Sequence, residues 1–106
     1  MTDITHLPGE EFVRQGLQDL ERGEATTLEA LLLQIGSTRI RNAGVPVPDF
    51  PRHETDAELR LYYLLGKQHG NNAYSQYNAH IRRLISFEQS LEARSSRMRR
   101  TEQAAL

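Results

Sequence analysis

Apolar residues recur every three or four positions through the last third of the chain, between Asn71 and Arg100. This spacing places them along one side of an α-helix, and no Pro or Gly interrupts the stretch. The pattern therefore predicts one long helix over 72–100, followed by a tail at 101–106. Its apolar side, called the seam below, includes one charged member and consists of Tyr74, Tyr77, Ile81, Leu84, Glu88, Leu91 and Met98.

Three shorter helices are predicted over 8–22, 27–43 and 56–68. Pro8 suits the first turn of the first helix. The segments Thr26–Glu29 and Thr55–Glu58 have the Ser/Thr-x-x-Glu pattern of a capping box and mark the starts of the other two. Gly36 and Ser37 mark a point where we expect the second helix to kink or break. The third is apolar nearly all round, which predicts a central position in the fold.

Gly16 lies on the apolar side of the first helix. A glycine inside a helix costs roughly 1 kcal/mol relative to alanine. Close approach of another helix backbone would compensate for this cost, so we expect a helix to cross the first one at Gly16.

The segment 45–54 interrupts the helices because its three prolines remove backbone donors and hold the preceding residues extended. Val45, Val47 and Phe50 are apolar at near-alternate positions, which predicts a strap lying across the bundle. The alternative is a Pro-x-x-Pro ligand formed by Pro48 and Pro51. The fold class is therefore all-α: one domain over 1–106, with four to five helices in a small bundle and the strap in its middle.

Charge and composition restrict the function. The chain has 13 basic and 14 acidic residues, so its bulk charge indicates neither a polyanion nor a membrane partner. Seven acids fall within residues 1–30, and four arginines fall within residues 94–106. No cysteine is present, and no stretch has the pattern of a signal peptide or a membrane span. We expect a soluble, cytoplasmic protein.

We expect no enzyme activity, cofactor or metal site. None of the four histidines has the Glu-x-x-His or His-x-x-x-His spacing of a metal-binding helix. The chain also lacks a Gly-x-Ser-x-Gly turn and a Gly-rich phosphate loop. Glu88 is the one acid on an apolar side, and three interpretations remain open: a general acid or base with a raised pKa, the partner of an arginine, or a residue at the edge of the seam. A ligand pocket is the third functional hypothesis, with its lining drawn from Tyr62, Tyr63, Tyr74, Tyr77 and Glu88.

Five arginines lie within about 120° on the other side of the last helix, with no acid among them: Arg82, Arg83, Arg94, Arg97 and Arg100. Such a row can follow a nucleic-acid backbone, which is the second hypothesis. The alternative is a solvated face, or a strip paired with the acidic first helix. No recognition helix of a helix-turn-helix and no interleaved aromatic residue accompanies the row.

The length of the last helix favours association as the leading hypothesis. A compact domain of this size has a diameter of roughly 34 Å, whereas about 28 helical residues span about 42 Å. We therefore expect a non-enzymatic interaction or adaptor module that forms a homodimer or binds another helical protein. Antiparallel last helices are favoured, because a parallel pair would set Glu88 against its own copy.

Overall fold

The structure, a computed structural model, describes residues 2–104, and it confirms the all-α fold class. Its five α-helices are α1 (Glu10–Glu21), α2 (Leu28–Ile35), α3 (Ser37–Asn42), α4 (Ala57–His69) and α5 (Ala73–Ala104). One turn of 3-10 helix, Gly70–Asn72, joins α4 to α5 in a helical hairpin. α2 packs between α1 and α4, so that the hairpin forms one layer and α1 with α2 forms the other.

The four predicted helix starts each lie one or two residues before the observed ones. α1 begins at Glu10 rather than at Pro8, because Gly9 has a left-handed φ of 88° and the Glu10 N–H bonds back to the Leu7 carbonyl at 3.1 Å. α2 is capped one residue later than the predicted capping box: the Thr27 hydroxyl accepts from the Ala30 N–H at 3.1 Å. At α4, Asp56 is the residue before the helix, and no side chain caps it.

Gly16 lies where two helices come too close for a Cβ, and Gly36 lies at a contact that would be tight for one. A Cβ built on Gly16 would lie 2.6 Å from Leu33 Cδ2 and 2.7 Å from the Glu29 carbonyl oxygen. The expected close crossing of α1 is therefore present, and α2 is the helix that makes it. Gly36 separates α2 from α3, and a Cβ there would lie 3.0 Å from Leu84 Cδ1 of α5.

The central segment is an ordered strap across the bundle. Val45 and Val47 are buried, and Phe50 is half-buried against the core. The Arg41 guanidinium holds the strap by donating to the Val47 carbonyl at 3.0 Å and by lying over the Phe50 ring, 5.5 Å from its centroid. The N-terminal segment is tied to the start of the strap, since the Thr2 N–H donates to the Gly44 carbonyl at 2.9 Å.

α5 is longer than the bundle that supports it. Its 32 residues span about 48 Å at the usual helical rise, and the molecule measures 54 × 26 × 21 Å. Ser95 is the last buried residue described on α5, and the side chains of 96–101 are exposed. The helix continues to Ala104, so the predicted tail is wrong for 101–104, while 105–106 lie outside the described residues.

Candidate interaction surface

All of the exposed large apolar side chains in the described part of the chain lie on α4 or α5. There are six, and we group the five other than Met98 as the hairpin face. Its exposed members, with the exposed fraction of each, are Leu59 (46%), Tyr62 (38%), Tyr63 (58%), Tyr74 (66%) and Ile85 (40%). The half-buried Tyr77 and Ile81 continue the same surface between the two helices.

Helical geometry brings these residues together. On α4, Leu59, Tyr62 and Tyr63 fall within about 100° of one another, on the side opposite the buried Leu61 and Leu65. On α5, the members Tyr74, Tyr77, Ile81 and Ile85 fall within about 80°. An edge-to-face contact between Tyr62 and Tyr77, with ring centroids 6.0 Å apart, joins the two helices at the centre of the face.

A shallow groove at the joint of the two helices has an acidic end. Asp56 and Glu58 line it together with Leu59, Tyr62 and Tyr77. Burial raises the pKa of the Tyr77 hydroxyl, and the negative charge of Glu58 raises it further. The groove is therefore aromatic along its floor and carries its charge at the amino end of α4.

The predicted seam of α5 divides into a buried middle and two exposed ends. Leu84 and Leu91 belong to the core of the chain itself, and so does Phe87, whose ring packs edge-on against Phe12 at 6.1 Å. Tyr74 at one end and Met98 at the other are exposed. The middle of the seam is thus covered by α1, α2 and α3 within one chain, and surface for a partner remains at its ends.

Glu88 is buried and paired with an arginine, one of the three interpretations open from the sequence. Its Oε1 lies 3.3 Å from Arg39 Nη1, and Arg39 Nε donates to Glu92 Oε2 at 3.1 Å. Burial raises the pKa of Glu88, while the Arg39 charge partly offsets this. The hydrogen bond from Arg39 lowers the pKa of Glu92. The cluster ties α3 to α5, and Glu88 does not line the groove of Tyr62 and Tyr77, so the proposed tyrosine and glutamate pocket is not assembled.

Two arginines of the predicted row contact other parts of the chain. The Arg83 guanidinium lies 5.3 Å from the centroid of the Phe12 ring, and Arg94 Nη1 donates to the Asp3 and Thr5 carbonyls at 2.9 and 2.7 Å. These two arginines hold α1 and the N-terminal segment against α5. Arg94 is half-buried, whereas Arg83 is exposed even though it lies over the Phe12 ring. The other exposed members of the row are Arg82, Arg97 and Arg100, and the exposed Arg99 lies beside the last two.

The sequence pattern did not mark Leu59 and Ile85 as parts of a surface. The signal was present in α4, whose apolar residues surround the helix. It predicted a central helix, whereas the structure leaves one side of α4 exposed. The apolar excess on that side makes it a candidate interaction surface.

Comparisons with known proteins give no relative from which a function could be transferred. No protein-family model matches the chain, and searches of curated proteins and of solved structures found no significant match. Among the residues that the structure describes, no three His, Asp or Glu side chains group as metal ligands would. None of the helices within 2–104 combines the length and apolar composition needed to cross a membrane.

Proposed function

We propose that this chain is a non-enzymatic interaction module that self-associates through the hairpin face. The observation that carries the proposal is the exposed tyrosine cluster on α4 and α5. Tyrosine is enriched at protein interfaces because its ring supplies a large apolar area while its hydroxyl can remain hydrated. Three tyrosines and two aliphatic residues on one exposed surface form the kind of patch that marks an interaction site.

The exposed area is of the size that a dimer contact uses. With roughly 200 Å² for a whole tyrosine side chain, the exposed fractions of Tyr62, Tyr63 and Tyr74 amount to roughly 300 Å². A standard interface buries about 800 Å² on each partner, a little over half of it apolar. Leu59, Ile85 and the exposed parts of Tyr77 and Ile81 supply much of the remaining apolar area.

The dimer contact proposed here uses only the amino-terminal part of the seam, whereas the sequence pattern predicted a contact along its whole length. Tyr74, Tyr77 and Ile81 remain in the contact and are joined by the exposed side of α4. Leu84, Glu88 and Leu91 are excluded because they are buried within the chain. A modest core also favours such an arrangement, since a chain of this length leaves about a third of its surface unburied on folding.

Sedimentation equilibrium at micromolar concentration is expected to give about twice the chain mass of 12.1 kDa. The double substitution Tyr63→Ser with Tyr74→Ser is expected to raise the dissociation constant about tenfold or more, because interface tyrosines commonly dominate binding energy. Both side chains are more than half exposed, so the fold should persist, as circular dichroism will show.

Met98→Ser is the control, because Met98 is also an exposed large apolar residue of α5, at 41%, but lies outside the hairpin face. It should leave the dissociation constant unchanged. A monomeric wild-type chain would overturn the proposal. Loss of the dimer in Met98→Ser alone would instead show that the dimer contact lies at the carboxyl end of the seam.

Nucleic-acid binding is the second candidate function, favoured by the exposed arginines at the end of α5. Arg97, Arg99 and Arg100 lie beyond the last buried residue, Ser95, on a part of the helix with no covering element described. A row of arginines on an isolated helix end is accessible to a phosphate backbone from several directions.

Retention on heparin tests this second function. If phosphates bind these arginines, Arg97→Ala with Arg100→Ala should elute at markedly lower salt than the wild type. The control Arg22→Ala with Arg52→Ala removes the same charge from exposed sites elsewhere and should elute with the wild type. Absence of retention at low salt, or an equal loss in the control, would remove nucleic acid from consideration.

A further inference from the structure

The exposed side of α4 carries a protruding leucine and, further along the helix, a glycine that has no side chain. Leu59 is nearly half exposed, and Gly66 lies two turns further along the same side. Seven residues bring a helix back to within about 20° of the same direction, about 10 Å further along its axis. A leucine side chain and an empty position are therefore aligned along α4, with Tyr62 and Tyr63 between them.

Gly66 has no packing explanation inside the chain. It lies in the interior of α4, where glycine is less favourable than alanine. A Cβ on Gly66 would meet no non-neighbouring atom within 4 Å, in contrast to Gly16, where Leu33 and the Glu29 carbonyl occupy that space. A glycine of this kind permits another helix to approach closely.

A second copy of the chain fits this surface. When Leu59 of one copy sits over Gly66 of the other, an antiparallel arrangement makes the reciprocal contact at the same time. The two-fold axis then passes midway between the two positions, beside Tyr62 and Tyr63, so the tyrosines of the two copies meet at the centre. Such a self-complementary patch is the defining property of a two-fold interface.

The charges along α4 favour the same arrangement. Asp56 and Glu58 stand at its amino end, and Lys67 and His69 stand in its last turn. None of these four forms an ion pair with another residue in the described part of the chain. Antiparallel pairing brings Asp56 of each copy to within about one turn of Lys67 of the other, along the same edge of the face. Parallel pairing would set like charges together.

We propose that the self-associated form is a two-fold dimer in which α4 packs antiparallel on α4 of a second copy, with Leu59 of each seated over Gly66 of the other. The inference rests on the proposed self-association and specifies its geometry. α5 lies antiparallel to α4 in each chain, so the two α5 helices also run in opposite directions, and their arginine-rich ends project from opposite ends of the dimer.

Cysteine cross-linking of the whole chain tests this geometry, because the native chain has no cysteine to interfere. Leu59→Cys and Gly66→Cys are each oxidised alone and as an equimolar mixture. The mixture should form a cross-linked heterodimer in high yield. Each variant alone should form at least several-fold less, because its two cysteines lie on either side of the axis, about 10 Å apart along the helix.

A separate measurement addresses close approach without cysteine chemistry. Gly66→Leu should raise the dissociation constant at least tenfold, while its monomer should unfold at the same or a higher denaturant concentration than the wild type. Two results would overturn the antiparallel α4 geometry for a chain that sediments as a dimer. One is efficient cross-linking of Leu59→Cys to its own copy, and the other is a dissociation constant that Gly66→Leu leaves unchanged. A monomeric wild-type chain would instead overturn self-association itself.

Discussion

Gly16→Val is expected to lower the free energy of unfolding by about 3 kcal/mol, since overpacking of a tight contact costs this much when it cannot relax. The first added carbon would lie 2.7 Å from the Glu29 carbonyl oxygen and 2.6 Å from Leu33 Cδ2. The leucine can rotate, but the carbonyl belongs to the backbone of α2 and cannot move without separating the two helices. A domain of this size has a total stability of about 5–15 kcal/mol, so much of it would be lost.

Urea unfolding followed by circular dichroism measures this loss. Gly66→Val is the matched control, because it places the same side chain inside a helix where no neighbouring atom lies within 4 Å. Both variants should be compared in the Tyr63→Ser, Tyr74→Ser background, so that dimer formation does not contribute. Equal stability of the two variants would show that α1 and α2 are not in contact at Gly16.

Arg39→Met is expected to lower the free energy of unfolding by about 2 kcal/mol at pH 7.5, because it leaves the carboxylate of Glu88 buried without its charged partner. The Glu88 side chain is 5% exposed, whereas that of Arg39 is 44% exposed, so the cost falls on Glu88. Met preserves most of the length and apolar volume of the arginine stem. Addition of Glu88→Gln should recover most of the loss, since a neutral amide is less costly to bury than a carboxylate.

The difference in the free energy of unfolding between Arg39→Met and the wild type should become smaller as the pH falls. Burial raises the pKa of Glu88 above 4.5, and loss of Arg39 removes the charge that lowers it. A raised folded-state pKa contributes stability that is fully present below the unfolded value and lost as the pH rises through the folded value. The stability difference between the variant and the wild type should therefore be smaller at pH 5 than at pH 7.5.

The stability of the wild type must also be measured at each pH, because protonation of His80 lowers the stability of both the wild type and the variant as the pH falls. Burial lowers the pKa of His80 from 6.5, so its contribution is lost as the pH falls. Arg82→Met, which removes an exposed arginine without a partner carboxylate among the described residues, is the control. A deficit that is independent of pH, or that does not exceed that of the control, would contradict the role given to Arg39.

Several features follow from local patterns and were predictable. The long helix of α5 follows from uninterrupted apolar spacing, and the strap follows from its three prolines, because both depend on backbone preferences of neighbouring residues. The close crossing at Gly16 also follows, since a glycine on an apolar helical side needs compensation. The partner helix at that crossing, α2, was not predictable, because the spacing specifies a direction on α1 and not what lies in that direction.

The contacts of the arginine row could not be predicted from local sequence patterns. Periodicity places Arg82, Arg83 and Arg94 on related sides of α5, but it does not show that Phe12 and the N-terminal carbonyls occupy the space beside Arg83 and Arg94. The helix start at Glu10 was missed for a related reason. The left-handed conformation of Gly9 is one that glycine permits in isolation and that the surrounding turn selects.

The helices, the strap and the residues that share a side of each helix follow from local sequence, because these properties depend on the 3.6-residue repeat and on the backbone chemistry of Pro and Gly. Which apolar sides are covered depends on how the helices pack. Leu61 and Leu65 of α4 are buried, whereas Leu59, Tyr62 and Tyr63 of the same helix are exposed. Hydrophobicity is similar on both sides, so burial depends on where α2 and α5 pack, and the uncovered side becomes the candidate interaction surface.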